Sequence, residues 1–108
     1  MKRIAWLGTS LNAVRDFPAD ARALIGYELR LIQRGEMRTD FKSMPTVGSG
    51  AYEIRVRAGR QYRVIYVAKF AESVYVLHAF IKKAQQTAQP DLALAQSRYA
   101  ALLKEIKS

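Results

Sequence analysis

Cysteine is absent from the 108 residues, and histidine occurs once, as His78. Without thiols the chain forms no disulfide, offers no thiolate nucleophile and builds no cysteine-based zinc or iron–sulfur site. A single imidazole argues against a histidine-rich metal centre. Long apolar runs are also missing. The longest stretch without a charge, Ile4 to Val14, has eleven residues, against the roughly 20 that cross a bilayer. Met1-Lys2-Arg3 followed by apolar residues has the outline of a signal peptide, but Arg15 and Asp16 cut it short, and Trp6, Gly8 and Asn12 interrupt it. These absences lead us to expect a cytoplasmic domain with no membrane span, no metal and no cofactor.

Acidic residues are scarce. Nine Asp+Glu stand against 18 Lys+Arg, a formal charge of +9. Half of the residues are hydrophobic and a quarter charged, which is ordinary for a globular chain and argues against disorder. The length suits a single domain over residues 1–108. A small basic domain usually meets a polyanion, nucleic acid foremost; the alternatives are a solvated basic surface or an anionic membrane surface. The excess is concentrated. Residues 42–83 carry eight basic and two acidic side chains, a net of +6.

The apolar pattern predicts the elements. Lys2 to Leu7 reads as a strand stopped by Gly8-Thr9-Ser10. Ser10 is a cap for a short helix to about Arg15, and Pro18 opens a longer one. Ala21, Leu24, Ile25, Glu28, Leu29 and Ile32 fall on one mostly apolar face of it. Gly35 ends it, and Gly26 inside it suggests close approach by another element. Residues 43–50 read as a loop. Three strands follow, Tyr52 to Arg57, Tyr62 to Phe70 and Ser73 to Ile81, joined by turns short enough for antiparallel pairing. Pro90 starts a last helix with a stripe of Leu92, Ala95, Tyr99, Leu102, Leu103 and Ile106. The expected fold is α+β, a small, mostly antiparallel sheet with packed helices in the order β-α-α-β-β-β-α.

The basic segment is therefore mostly sheet. Glu53, Arg55 and Arg57 share one face of a strand, as either a solvent face or a binding face. Arg63 stands within an otherwise apolar strand, where arginine needs a partner. One reading is a Glu53–Arg63 salt bridge that only fixes the fold. The other is a phosphate site, since guanidinium and ammonium groups on one face can hold a phosphate. A carboxylate beside such cations is what metal-free RNA cleavage uses, with the RNA's own 2′-hydroxyl as nucleophile. His78 lies in an apolar strand and reads as a hydrogen-bonded core histidine before a proton-transfer group. Trp6, Tyr52, Tyr62, Tyr66 and Tyr75 read as core rather than as platforms for bases.

Several segments resemble the RelE/HigB superfamily of bacterial toxins, in particular its phage-derived HigB-like branch. They are Ile4-Ala5-Trp6-Leu7-Gly8, Phe17-Pro18 with Gly26-Tyr27-Glu28-Leu29, Tyr52-Glu53-Ile54-Arg55, Tyr62-Arg63-Val64-Ile65-Tyr66, and His78-Ala79-Phe80-Ile81-Lys82-Lys83 with Thr87. Ala95 and Arg98 in the last helix also fit. The resemblance implies a microbial-RNase-like domain that cuts mRNA in the ribosomal A site without metal. It also implies a partner, an antitoxin with a helix-turn-helix. By that resemblance Arg63 contacts the scissile phosphate, Glu53 is a general base and Arg55 binds phosphate. Lys82 and Lys83 take the place where relatives put groups for the leaving oxygen. Lys42, Arg57 and Lys69 are then left for docking on RNA, or for solubility. Two other readings compete: a non-catalytic nucleic-acid-binding module, and a phage structural or interaction protein.

Overall fold

A computed structural model of the chain describes residues 1–36 and 41–107. The elements are β1 (Arg3–Trp6), α1 (Ser10–Arg15), α2 (Ala19–Gln33), β2 (Phe41–Ser43), β3 (Ala51–Ala58), β4 (Arg60–Val67), β5 (Ser73–Lys82) and α3 (Gln89–Lys107). The class is α+β, as expected. One strand is new: β2, three residues long, pairs antiparallel with β3 and places Lys42 opposite Glu53. Three residues carry too little alternation to be read as a strand.

The five strands form one sheet in the order β1-β5-β4-β3-β2. All neighbours are antiparallel except β1, which runs parallel to β5 over Ser73 to Val76. Period-2 alternation gives the sheet two apolar faces. On one, Ile54, Val56, Val64, Tyr66, Val74 and Val76 pack against Val14 and Phe17 near α1 and against Ala21, Ile25, Leu29 and Ile32 of α2. Burying each large aliphatic of that stripe contributes about 1.5–3 kcal/mol. On the other, Ala51, Ile65, Val67, Leu77 and Phe80 pack against Ala95, Tyr99 and Leu102 of α3, with Met44 and Val47 from the 43–50 loop.

The two faces meet at an irregularity in β5. Ile65 pairs with His78, but Tyr66 pairs with Val76. The extra residue is Leu77, a bulge that interrupts strict alternation. As a result the alternation changes phase: Val76 and Ala79, three residues apart, both join the α1/α2 core, and Leu77 and Phe80 both join the α3 core.

The helix ends agree with the sequence signals in part. Pro18 is the N-cap of α2, and Gly35 follows its C-cap with φ +75°, donating its N–H to the Ile32 carbonyl. That left-handed conformation suits glycine. Three expectations need correction. Ser10 does not cap α1 with its side chain. It is fully buried and donates its hydroxyl to the Val76 carbonyl instead (3.2 Å). Gly26 admits no neighbour: a Cβ there would meet nothing within 4 Å. Leu24 and Ile106 stay exposed, at the edges of their stripes.

Candidate functional site

The α3 side of the sheet is only half covered. α3 and the 43–50 loop close over the end near Ala51 and Val67. The other end, around the β3–β4 turn and the C-terminus of β5, is left open and carries the polar residues. Alternation places Glu53, Arg55 and Arg57 of β3 on this face, and pairing brings Gln61 and Arg63 of β4 beside Lys82 and Phe80 of β5. Exposure rises along β3: Glu53 is buried, Arg55 half-buried and Arg57 exposed.

The deepest element is an ion pair. Arg63 Nε lies 3.4 Å from Glu53 Oε1, with side chains 5% and 1% exposed. The guanidinium also donates from Nη1 to the Tyr62 carbonyl (3.1 Å) and from Nη2 to Gln61 Oε1 (2.7 Å). The second carboxylate oxygen of Glu53 accepts from the Thr87 hydroxyl (3.3 Å). Arg63 is thus held by two hydrogen bonds and the ion contact, and Glu53 by one hydrogen bond and the same contact, the partnering a buried charge needs.

Above this pair lies a polar groove lined by Arg55, Gln61, Lys82, Lys83 and Gln85. A smaller depression beside it is lined by Arg55, Arg57, Gln61 and Arg63. Lys82 is the electrostatic centre. Burial lowers its pKa from the ordinary lysine value, and the Arg63 charge lowers it further. Arg55 and Lys42 act in the same direction, and Glu53 opposes them. Charges on β2, β3 and β4 therefore act on Lys82 of β5, making a cluster of five. Four of the five are cations, so an anion entering the groove is attracted.

His78 lies further along the face. Its Nε2 is 2.7 Å from Asp91 Oδ1, in the first turn of α3. Its ring stacks on Phe80 (centroids 5.2 Å apart, planes at 18°). This is a hydrogen-bonded, largely buried histidine tying β5 to α3. Among the described residues, no three His, Asp or Glu side chains converge as a metal site would require.

The structure thus brings together Glu53, Arg55, Arg63, Lys82 and Lys42, with Lys83 and Arg57 on the rim. It does not bring in Lys69. That residue follows the far end of β4, packs its aliphatic stem near Gly50 and sets its ammonium 5.4 Å from the Phe70 ring centre. Roughly 20 Å of strand separates it from Gln61. Tyr62 and Tyr66 are buried, as expected of core residues. Gln61 and Asp91 were not legible as site residues. Gln61 could have been found from register, since it pairs with both Arg57 and Lys82. Asp91 stands on a separate helix, and no local signal joins it to His78.

No described helix is long and apolar enough to cross a membrane. Among curated proteins, none matches the chain. A family model described as Phage derived protein Gp49-like (DUF891) matches residues 12–100, from α1 well into α3, including the Glu53–Arg63 pair and the groove above it. The chain belongs to this Gp49-like family of phage-derived proteins.

Proposed function

We propose that the chain is an endoribonuclease toxin that cuts mRNA on the ribosome and is restrained by a helix-turn-helix antitoxin. The observation that carries this reading is the Glu53–Arg63 pair lying beneath Arg55 and Lys82 at the open end of the sheet face. The phage-derived family and the resemblance to RelE/HigB toxins support the cellular setting.

In this reading the backbone phosphate sits in the groove against Arg55, and Arg63 reaches it once its bonds to Gln61 and the Tyr62 carbonyl open. Their guanidinium forks suit the non-bridging oxygens and stabilise charge as the pentavalent phosphorus forms. The 2′-oxygen bonds to phosphorus and the bond to the 5′-oxygen breaks, leaving a 2′,3′-cyclic phosphate and a 5′-hydroxyl. Lys82 gives a proton to the departing 5′-oxygen. Its lowered pKa brings it closer to the working pH, where a general acid is most effective. Glu53 receives the 2′-hydroxyl proton. In the resting geometry Thr87 and Arg63 close over its carboxylate, so this step requires that arrangement to open. Lys83, Arg57 and Lys42 add charge along the RNA path.

A second reading is favoured by the burial of that same carboxylate. With Glu53 1% exposed, the pair can act as a brace alone, and the groove then binds RNA without cutting it. Expression in a bacterial host without an antitoxin separates the two. Cleavage predicts new mRNA ends bearing 5′-hydroxyls in translated regions, and the absence of new ends leaves a binding module.

A further inference from the structure

A second cavity adjoins the groove. It has a volume of about 480 Å3, and Lys82, Lys83 and Ala84 line both. Its walls are unlike the groove's. Phe17 and Ala13 form one side, Phe80 and Ile81 another. Asp16, at the C-terminus of α1, and Asp91 place carboxylates in the lining. The cavity exists because β1 covers only Ser73 to Val76 of β5, leaving the later part of β5 without a neighbouring strand on that side.

We propose that this cavity is a nucleobase subsite and that it selects bases carrying an amino group on the pairing edge over uracil. The inference rests on the groove's holding the backbone of single-stranded RNA. A base next to a bound phosphate needs an apolar slot a few ångströms away, with a few polar groups to read its edge. The shared Lys82-Lys83-Ala84 wall puts such a slot beside the phosphate path. The volume accommodates a purine or a pyrimidine. The carboxylates accept hydrogen bonds and donate none. Adenine, cytosine and guanine offer amino hydrogens to such an acceptor. Uracil offers one N–H between two carbonyl oxygens, which the carboxylates repel. Asp91 Oδ1 already meets His78, so exposed Asp16 is the reading group.

The test uses the full chain and labelled pentaribonucleotides, 2′-O-methylated to block cleavage. One position carries A, C, G, U or an abasic sugar, and binding is followed by fluorescence anisotropy. The amino-bearing bases should bind about 10-fold tighter than uracil, within the range of one good edge contact. Asp16→Asn should remove that preference and keep the salt dependence, which reports phosphate contacts. Ala88→Trp, at an exposed wall position, should reduce every base to the abasic level. Equal binding of all five probes overturns the subsite, as does a preference that survives Asp16→Asn. Base selection on these probes without cleavage of unmethylated, ribosome-bound mRNA would leave the subsite standing and remove the nuclease; such cleavage without selection would do the reverse.

Discussion

Arg63 and Glu53 stand on adjacent strands, two residues off directly opposite, and join through Nε and Oε1 at 3.4 Å. Glu53 is paired with Ile65, and Arg63 with Arg55, so the ion pair crosses the β3–β4 ladder diagonally. This diagonal leaves Arg55 directly opposite Arg63 in the ladder, on the same face of the sheet.

Breaking that pair should destabilise the fold strongly. Glu53→Ala leaves Arg63 as an uncompensated buried charge and is expected to cost about 3–5 kcal/mol in urea unfolding. The double change Glu53→Met with Arg63→Met should cost much less, because no unpaired charge remains. If the single and double variants lose equal stability, the pair is not a coupled buried ion pair.

Lys82 predicts a pH dependence. Burial and neighbouring cations lower its pKa, so it loses its charge at a lower pH than a free lysine, whose value is 10.5. RNA affinity should therefore fall as pH rises on the alkaline side, and the fall should begin below 10.5. Lys82→Arg holds its charge to higher pH and should move this decline upward. A decline unchanged by Lys82→Arg would assign it to another group.

Two glycines should respond in opposite directions. Gly26→Ala faces open space within α2 and is expected to stabilise by about 0.5–1 kcal/mol, through helix propensity. Gly48→Ala places a Cβ 2.3 Å from the Tyr99 ring. It should destabilise by about 1–3 kcal/mol as that packing is forced apart. Thermal unfolding of both variants measures the contrast.

His78 and Asp91 hold the first turn of α3 on the sheet. Asp91→Ala should cost about 1–2 kcal/mol for the lost hydrogen bond and raise amide exchange at residues 90–95 ahead of the rest of α3. Uniform change along α3 would place the anchor elsewhere, in the Ala95, Tyr99 and Leu102 contacts.

What the sequence revealed follows from the range over which each signal acts. β3 was legible because Tyr52, Ile54 and Val56 alternate with Glu53, Arg55 and Arg57 along six consecutive residues of the strand. Arg63 stood out because its neighbours Val64 to Val67 are all apolar, and its pairing with Glu53 was one of the two readings of that contrast. β2 was too short for its period to register. Ser10 looked like a cap because local sequence does not show that β5 passes over it. Gly26 was read as a contact because a helical glycine has no other local reason, yet this one lies on the solvent side. Lys69 counted with the basic segment by its number, whereas the sheet carries it to the opposite end. The cavity walled by Phe17 and Phe80 depends on where β1 stops, and no single segment encodes that.

Whether the groove cuts RNA is read in one reaction: single-turnover cleavage of ribosome-bound mRNA by the purified chain, scored as 2′,3′-cyclic phosphate and 5′-hydroxyl ends. Lys82→Met and Arg55→Gln are run alongside, each first shown to be folded by circular dichroism. The parent chain should cleave, and each variant should lose about 10²–10³-fold in rate, the effect of removing one stabilising donor from a charged transition state. No cleavage by the parent, or full-rate cleavage by both variants, would contradict cleavage by this groove.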